Sequence, residues 1–497
     1  MSYLFLGATI GLALSIFYYL LLSLADRKRV RSLGTYFFDG WSLSERTVTV
    51  SQFSSSMSLA TVVIALLQLG VVFGIGLSWA TLTFCLGWGF FVLIVPTIRR
   101  KSVPRDTIHS FLGRRYESDA VRILASTATI AGFLGLFSTE LFAADVLLSA
   151  LNLNPEVVDG AIVLFALVTI AYSAVGGFRS VVRSDWSQTA LLLASLATLG
   201  VLAVRNWLAA GHPPVMDTSQ AHSWLLPPAV ATGLFFINVP YPLVDTQAWQ
   251  RARAAASDRA AMKGTAKAIW LFVGTWTFLI GLALLVATNL APGEEPFKVI
   301  LQSAITLPSA TAFLVGCILA PGLGAAMFSS ADAFINSAAL VYSLDLSQLR
   351  KRADSDNVVS IARTHVIALG LGGLCVAMLL RHTGFGIVDM VFAVSAGQLA
   401  LFPSVLCGVM TPQRKSLQDL RIPALASISF GFSAAWINGL YSVLTSGYDG
   451  LPSFLVRLFP QDVYRSPAYA FTISSLVFLV GTLLVFLRPS SQKGARI

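Results

Sequence analysis

The sequence predicts an all-α polytopic membrane protein, and three observations support that prediction. The 497 residues are 56% hydrophobic and only 12% charged, which is about half the charge of an average soluble protein. Apolar stretches of about 20 residues, each long enough to cross a bilayer, recur from one end of the chain to the other. Lys and Arg residues gather in or beside the short segments between these stretches, in a pattern that alternates along the chain.

Thirteen apolar segments are expected to span the membrane, and we number them span 0 to span 12. They cover residues 2–24, 47–73, 74–98, 119–150, 157–175, 184–209, 228–250, 266–291, 308–344, 357–381, 385–410, 422–445 and 466–488. Span 0 is too long for a signal-peptide core and lacks a basic N-terminal region, so we expect it to be retained. Of the 34 Lys and Arg residues, 29 follow even-numbered spans and five follow odd-numbered ones. This split predicts an outside N-terminus and a cytoplasmic C-terminus.

Composition also argues against several other classes of protein. The net charge of +10 arises from basic residues in loops, so membrane orientation explains it better than nucleic-acid binding does. All four cysteines fall inside apolar spans, where we expect reduced packing residues rather than disulfides. The five histidines are scattered, and no nucleophile–base or metal-ligand spacing predicts an enzyme. The chain ends about nine residues after span 12, so we do not expect a fused regulatory domain.

Spans 1 and 6 each carry polar residues where a lipid-facing helix would carry none. Span 1 contains "SQFSSSMSLAT", residues 51–61, and such hydroxyls serve either as packing contacts or to stabilise carbonyls where a helix unwinds. Span 6 reads "FFINVPYPLVDTQAWQR", in which Pro240 and Pro242 interrupt the helix. The two spans lie five apart, as the first helices of two inverted five-helix repeats would, and transporters use such broken helices to bind ions.

Span 8 carries a stripe of small residues on one helix face. The members share three- and four-residue spacing and are Ala326, Ser329, Ser330, Ala333 and Ser337. Close helix packing is one interpretation of this stripe. The other is a cation site, because Na⁺ requires several oxygen ligands, which hydroxyls and unwound carbonyls supply. Asp332 beside the stripe favours the second interpretation, since a carboxylate has no role in simple packing.

Two acidic residues, Glu140 in span 3 and Asp389 in span 10, are expected in the outward half of the membrane. The membrane-embedded parts of spans 1, 3, 6 and 10 contain no basic residue that could pair with them. A substrate with an amine or other cationic group would compensate these carboxylates. The alternative is that each is protonated or bonded to a neighbouring Ser or Thr. Asp245 and Asp345, nearer the cytoplasmic ends, are expected to bind loop arginines or to cap helices.

Four motifs resemble those of the sodium/solute symporter family, which is built on the leucine-transporter-type inverted-repeat fold. They are "YFFDGWSL" before span 1, "YSAVGGFRSVVRSDWSQ" across spans 4 and 5, "DTQAWQRARAAASDRAA" after span 6, and "AAMFSSADAFINSAALVYSLDL" in span 8. The resemblance implies an extra N-terminal span and loop (1–46), two five-helix repeats (47–209 and 228–410), and two C-terminal spans (411–497).

The resemblance also implies a sodium site between spans 1 and 8. Its ligands would be the carbonyls of Ser54, Met57 and Ala326 and the hydroxyls of Ser329 and Ser330. Some family members have a second sodium site, whose matching positions here are Asp185, Ser329, Asp332 and Ala333. The last two depart from the hydroxyl residues of the family pattern. Asp332 could therefore bind a second Na⁺ with Asp185, take up a proton, or form an ion pair with a loop arginine.

The substrate site of the family lies at mid-membrane, and four further residues are assigned to it. Asn238 and Tyr241 match substrate-contact and inner-gate positions of sugar carriers, while Ser58 and Thr61 are expected to face the same cavity. Ser56 stands where an acidic or amide residue is common in those carriers, which leaves the class of solute open.

The function expected from the sequence is Na⁺-coupled symport of a small polar organic solute by alternating access. A proton-coupled carrier on the same fold and a transport-like sensor are the alternatives. The expected setting is a bacterial-type plasma membrane, with the lipid bilayer and a small-molecule solute as partners and with no nucleic acid. We expect a monomer or a weak homo-oligomer.

Overall fold

The computed structural model describes residues 3–103, 106–149, 154–209, 225–288, 290, 294–347, 349, 357–381, 386–445 and 462–487. The principal helices in these residues are α1 Tyr3–Arg27, α2 Leu33–Phe38, α3 Glu45–Ser56, α4 Ala65–Phe73, α5 Ser78–Lys101, α6 Ile108–Arg115, α7 Asp119–Ser149, α8 Pro155–Ala209, α9 Pro228–Asn238, α10 Tyr241–Val244, α11 Thr246–Ala254, α12 Asp258–Ala287, α13 Pro296–Ile305, α14 Ser309–Val341, α15 Val358–Arg381, α16 Ile387–Ala396, α17 Phe402–Met410, α18 Arg421–Thr445 and α19 Ser466–Leu487.

The predicted all-α polytopic architecture is confirmed. Ten helical segments of the described residues are long and apolar enough to cross a membrane. Two of them, Leu59–Lys101 with 43 residues and Pro155–Ala209 with 55, are about twice the length that one crossing needs. The exact number of thirteen spans stays a prediction. The basic residues at 350–352 and those after residue 487, which contributed to the predicted orientation, lie outside the described residues.

Span 1 is broken near its middle. Helix α3 ends at Ser56, and Met57 (φ −93°, ψ 63°) and Ser58 (φ −65°, ψ 142°) are not helical. The Ser58 hydroxyl accepts a hydrogen bond of 2.7 Å from the Thr61 backbone N–H and so caps the second half of the span. A π-helical turn, Leu59–Ile64, then leads into α4.

Span 6 is broken twice. Helix α9 ends at Asn238, and the short helix α10 starts after Pro240, whose missing N–H cannot continue the preceding helix. Asp245 is extended and caps α11, because its carboxylate accepts a hydrogen bond of 2.9 Å from the Gln247 backbone N–H. Asp245 thus occupies one of the roles expected from the sequence, that of a helix cap.

The segment between spans 4 and 5 turns at a single glycine within α8. Gly177 has φ +60° and ψ −158°, a backbone conformation that essentially only glycine adopts. A Cβ atom at this position would also lie 2.6 Å from the carbonyl oxygen of Tyr36. The adjacent Arg179 pairs with Asp39 at 2.5 Å and with the buried Asp26 at 3.2 Å. Two motifs that are distant in sequence therefore form one connected loop cluster.

Helix α14 forms the centre of the bundle and packs against α8, α1 and α7. Small residues allow close approach, since a Cβ atom on Gly7 or Gly316 would collide with the backbone of the facing helix. The opposite side of α1 exposes apolar side chains such as Leu14 and Phe17, as expected of a lipid-facing helix. The sequence analysis did not predict the short amphipathic helix α13.

We expect Gly177→Ala to destabilise the protein by at least about 2 kcal/mol, because the new side chain adopts a strained backbone and meets the Tyr36 carbonyl. The measurement is thermal unfolding of the purified protein in detergent. Gly274→Ala is the matched control, since Gly274 lies on an exposed face of α12 and nothing stands within 4 Å of its added Cβ atom. Equal unfolding temperatures for the two variants would contradict this account of the turn.

Candidate sodium and solute site

The break in span 1 is bonded directly to α14. The Ser329 hydroxyl donates to the Ser54 carbonyl at 2.9 Å, with the Ala326 carbonyl at 3.2 Å as its other acceptor. The Ser330 hydroxyl donates to the Ala326 carbonyl at 2.9 Å. All four residues are buried. The structure therefore brings together two carbonyls and two hydroxyls that the sequence analysis assigned to one sodium site.

Met57, the remaining predicted ligand, lies at the break itself and is fully buried. Its side-chain sulfur accepts a hydrogen bond of 3.6 Å from the Thr275 hydroxyl on α12. Phe53, one turn earlier, packs against Phe272 of the same helix with ring centroids 5.5 Å apart. Contacts with α12 on one side and α14 on the other thus hold the unwound segment.

Glu140 on α7 meets the break from a third direction. Its carboxylate is fully buried and accepts hydrogen bonds from the Ser58 hydroxyl and, at 3.5 Å, from the Ala60 backbone N–H. A carboxylate at this position stabilises the positive end of the second half-helix. The sequence left open whether Glu140 pairs with a cationic substrate or bonds to a neighbouring Ser or Thr. The structure shows the bond to a neighbouring serine.

A cavity of about 150 Å³ opens beside the break. Spans 1 and 6 supply most of its polar lining, which comprises Ser55, Ser56, Ser58, Thr61, Asn238, Tyr241, Asp245 and Gln247, together with Ser395 of α16. Four of the predicted substrate residues are among these. Neither Glu140 nor Asp389 lines the cavity. Asp389 lies in the first turn of α16, where its carboxylate approaches the backbone of Gly386.

Asn238 holds the first break of span 6 against span 2. Its side-chain amide donates to the Thr83 hydroxyl at 3.0 Å and to the Ala80 carbonyl at 3.3 Å. Gly87, one turn further along α5, lets the backbones approach, because a Cβ atom there would lie 2.3 Å from the Asn238 carbonyl oxygen. The Asn238 amide therefore fixes the position of span 6 against span 2 at the wall of the cavity.

Aromatic residues that the sequence analysis did not identify form much of the remaining wall. Phe84 on α5 stacks on Trp276 of α12, with centroids 4.3 Å apart, and Trp88 follows one turn after Phe84. The indole N–H groups of Trp88 and Trp276 are buried without a hydrogen-bond partner among the described residues. Aromatic residues are ordinary in apolar spans, so their identity gave no signal. Only their positions on facing helices distinguish them.

A second buried polar cluster lies on the α3 side of the break. Asp185 of α8 and Asp332 of α14 are fully buried, and the Tyr172 hydroxyl donates to the Asp332 carboxylate. Arg251, also fully buried, donates to the Ser51 hydroxyl at 2.9 Å and interacts electrostatically with both carboxylates. Neither oxygen of Asp185 has a hydrogen-bond partner among the described residues. This cluster thus contains two carboxylates and one guanidinium group without a direct ion pair between them.

Asp345 lies just after the C-terminal end of α14, in a contact that differs from the expected arginine bond. Its carboxylate accepts a hydrogen bond of 2.6 Å from the Thr107 hydroxyl and lies 3.4 Å from His109 Nδ1. Arg122 instead donates to the Asp345 backbone carbonyl. The pair of contacts ties α6 and α7 to the end of α14.

Several known proteins resemble this chain. The high-affinity proline transporter PutP of Bacillus subtilis (strain 168) is 24% identical over 454 residues, which cover 87% of this chain and 90% of that protein. The high affinity choline transporter 1 of Homo sapiens is 25% identical over 354 residues, covering 63% of this chain and 55% of that protein. A substrate-bound, outward-open Na⁺-coupled sialic acid symporter has the same fold, with a TM-score of 0.75 at 16% identity and coverage of 97% and 98%.

The family model that matches is described as the sodium:solute symporter family, and the match extends over residues 36–415. It includes both broken helices and the α14 stripe. The chain therefore belongs to the sodium:solute symporter family, with the leucine-transporter-type fold, and is a membrane transporter and not an enzyme.

Proposed function

We propose that this chain couples the entry of Na⁺ to the uptake of a small organic solute that carries a cationic nitrogen, by alternating access. The observation that carries the proposal is that one short segment contacts α14 on one side and lines the cavity on the other. Ser54 is bonded to α14 through Ser329, whereas its neighbours Ser55, Ser56 and Ser58 line the cavity. An ion bound on one side of this segment and a solute bound on the other would both act on the same backbone.

The proposed Na⁺ ligands are the carbonyls of Ser54, Met57 and Ala326 and the hydroxyls of Ser329 and Ser330. The Ser329 oxygen lies 2.9 Å from the Ser54 carbonyl oxygen and 3.2 Å from that of Ala326. Oxygens this close together can share one small hard cation after a modest rotation of the hydroxyl. A discontinuous helix that faces a serine-rich helix is also the arrangement that such transporters use for Na⁺.

Ion binding at this site would favour the conformation in which α3 and α14 are in contact. A ligand shifts a conformational equilibrium only through its different affinity for the two states. Because the ligands come from two helices, Na⁺ binds tightly only when the helices meet. Solute and ion then raise each other's affinity, which is the reciprocity that coupled transport requires.

The cavity supports a solute with a positively charged nitrogen and an apolar body. The described lining contains the aromatic rings of Phe84, Trp88 and Trp276 and no Lys or Arg, and aromatic faces attract organic cations. The unpartnered indole N–H groups of the two tryptophans would donate to an oxygen of the solute. Proline and choline, the solutes named for two relatives, both carry such a nitrogen.

We also propose that the protein lies in a bacterial-type plasma membrane with its N-terminus outside and its C-terminus in the cytoplasm. Two ion pairs support this orientation. Arg179 after span 4 pairs with Asp39 before span 1, and Arg99 after span 2 pairs at 2.7 Å with Asp258 after span 6. The Leu43 N–H also donates to the Ala254 carbonyl at 3.0 Å and so joins the two pairs. Four basic segments therefore share one face, where the positive-inside rule places the cytoplasm. A monomer or a weak homo-oligomer stays our prediction.

Proton coupling on the same fold is the second candidate, and the Asp185–Asp332 cluster favours it. Asp185 and Asp332 face the Arg251 guanidinium there, and the buried Asp245 also interacts with it, so the formal charge is negative in a membrane interior. Such a charge requires compensation by a proton or by a second cation. The Tyr172 hydroxyl already donates to Asp332, so Asp332 would be the natural partner in either case.

We expect the double variant Ser329→Ala with Ser330→Ala to abolish sodium-stimulated uptake. Loss of two oxygen ligands, at about 1.5 kcal/mol each, weakens Na⁺ binding about 100-fold. The measurement is uptake into proteoliposomes against Na⁺ concentration. Ser474→Ala is the matched control, because this buried serine on α19 bonds only within its own helix through its hydroxyl, to the Phe471 carbonyl. An unchanged sodium dependence in the double variant would refute the assigned ligands.

A thermal-shift screen should identify the solute class. We expect amino acids and quaternary amines to stabilise the purified protein in the presence of Na⁺, whereas sugars and dicarboxylates leave the unfolding temperature unchanged. Trp276→Phe keeps the stacked ring but removes the N–H, so it should weaken binding of the stabilising solute about fivefold. Trp270→Phe, on the exposed face of the same helix, is the control. Stabilisation by sugars alone would overturn the cationic class.

The coupling ion is tested by replacing Na⁺ with N-methylglucamine in the uptake assay. We expect uptake to cease in the wild-type protein, and Asp332→Asn to retain an absolute requirement for Na⁺ at a reduced rate. The exposed Asp419→Asn variant should behave as wild type. Sodium-independent uptake that follows an inward proton gradient and is lost in Asp332→Asn would establish the proton-coupled alternative instead.

A further inference from the structure

A basic cavity of about 390 Å³ lies at the cytoplasmic end of the bundle, away from the site described above. Three parts of the chain meet around it, namely the loop before span 1, the end of α5, and the turn from the end of α11 to the start of α12. Its lining consists of Trp41, Arg99, Arg100, Ser102, Arg253 and Asp258. Neither the transport cycle nor the sodium ligands use these residues.

The charges of this cavity are not balanced within its own lining. Three guanidinium groups and one carboxylate leave a formal charge of +2. Asp258 is bound to Arg99 at 2.7 Å. Arg100 is exposed, and in the described part of the chain its guanidinium donates only through Nε, to the Pro96 carbonyl at 3.1 Å. The cavity therefore presents a guanidinium fork suited to an anion with several oxygens.

The cavity lies at the depth of lipid headgroups. Helix α5 is apolar as far as Ile98, and three basic residues follow at once in its last turn. Trp41 is half-buried at the rim, and its ring stacks on Phe38 with centroids 5.7 Å apart. Tryptophan beside arginine at the end of an apolar helix is typical of the membrane–water interface.

The loop that carries Trp41 is held in an unusual conformation over the cavity. Asp39, Gly40 and Trp41 have φ values of 45°, 64° and 61°, and two of these residues are not glycine, so the loop is strained. Its far end is fixed because the Leu43 backbone bonds to the carbonyl of Ala254 at 3.0 Å and to the N–H of Ala256 at 2.9 Å. The strained loop is thereby tied to the end of span 6.

We propose that this cavity binds the phosphate-bearing headgroup of an anionic phospholipid from the cytoplasmic leaflet. Anionic phosphates match the guanidinium groups in charge and geometry, and basic pockets between helices on this side of a membrane are suited to such headgroups. The position at the end of an apolar helix selects a lipid over a soluble phosphate, because the acyl chains of the lipid can remain in the bilayer beside α5.

The bound headgroup would link a broken helix to its neighbours. The Arg99 guanidinium donates to the Ala252 carbonyl at 2.5 Å and to the Arg253 carbonyl at 3.2 Å, at the end of α11. Arg253 in turn donates to the Val103 carbonyl at 2.5 Å. A phosphate between these side chains would stabilise the contact of span 6 with span 2 and so favour the conformation described here.

The test uses the full-length protein in neutral detergent, titrated with phosphatidylglycerol or with phosphatidylcholine. We expect phosphatidylglycerol to raise the unfolding temperature of the wild-type protein, and phosphatidylcholine to leave it unchanged. Arg100→Gln should weaken the apparent affinity for phosphatidylglycerol about fivefold, the equivalent of one basic residue near the lipid surface. Native mass spectrometry should show correspondingly less retained phosphatidylglycerol.

Arg29→Gln is the matched control, because Arg29 is an exposed basic residue on the same side of the bundle and outside the cavity. It should keep the wild-type affinity for phosphatidylglycerol. Equal affinities in the Arg100→Gln variant and the control would overturn the proposed site. Stabilisation by inorganic phosphate to the same extent as by phosphatidylglycerol would overturn the lipid as its occupant.

Discussion

The rest of the structure depends on how the interruption of span 1 at Met57 and Ser58 is stabilised. An unwound segment at the middle of a membrane frees backbone polar groups that lipid cannot satisfy, at a cost of several kcal/mol for each group. Here α14 donates to the Ser54 carbonyl through Ser329, and α7 accepts from the other side through Glu140. Together with the contact of α12 at Met57, these two helices therefore stabilise the break.

This constraint also places the solute cavity. Because the unwound segment is fixed to α14 and α7 on its inner sides, its remaining side faces α5 and span 6, whose own breaks at Val239 and Asp245 leave room beside it. The side-chain amide of Asn238 bonds to Thr83 of span 2 and not to another residue of span 6. This contact keeps the space beside the break open. In the proposed arrangement, ion and solute would be separated by the thickness of one backbone. Coupling between them requires no long pathway.

Sequence reasoning captured the features that depend on local chemistry. Apolar length and the alternation of basic loops predicted the membrane architecture, while Pro240 and the serine cluster at residues 51–61 marked the two broken helices. It did not identify the partner of Glu140, which depends on how α7 crosses span 1. It did not identify Trp88 and Trp276 either, because aromatic residues in apolar helices are common and only packing brings these two together. Gly177 was visible only as part of a motif, and its left-handed turn follows from the contact with Tyr36.

The buried charges around Arg251 connect the proposed ion chemistry to the same break. Arg251 donates to the hydroxyl and carbonyl of Ser51, one turn before Ser54, instead of forming a direct pair with Asp185 or Asp332. The guanidinium group therefore stabilises α3 and compensates the two carboxylates only at a distance. Charges inside a membrane are tolerated when they are balanced, so we propose that this cluster gains positive charge during the cycle. A cation or a proton that arrives there acts within one helical turn of the proposed sodium ligands, and either would favour contact between α3 and α14.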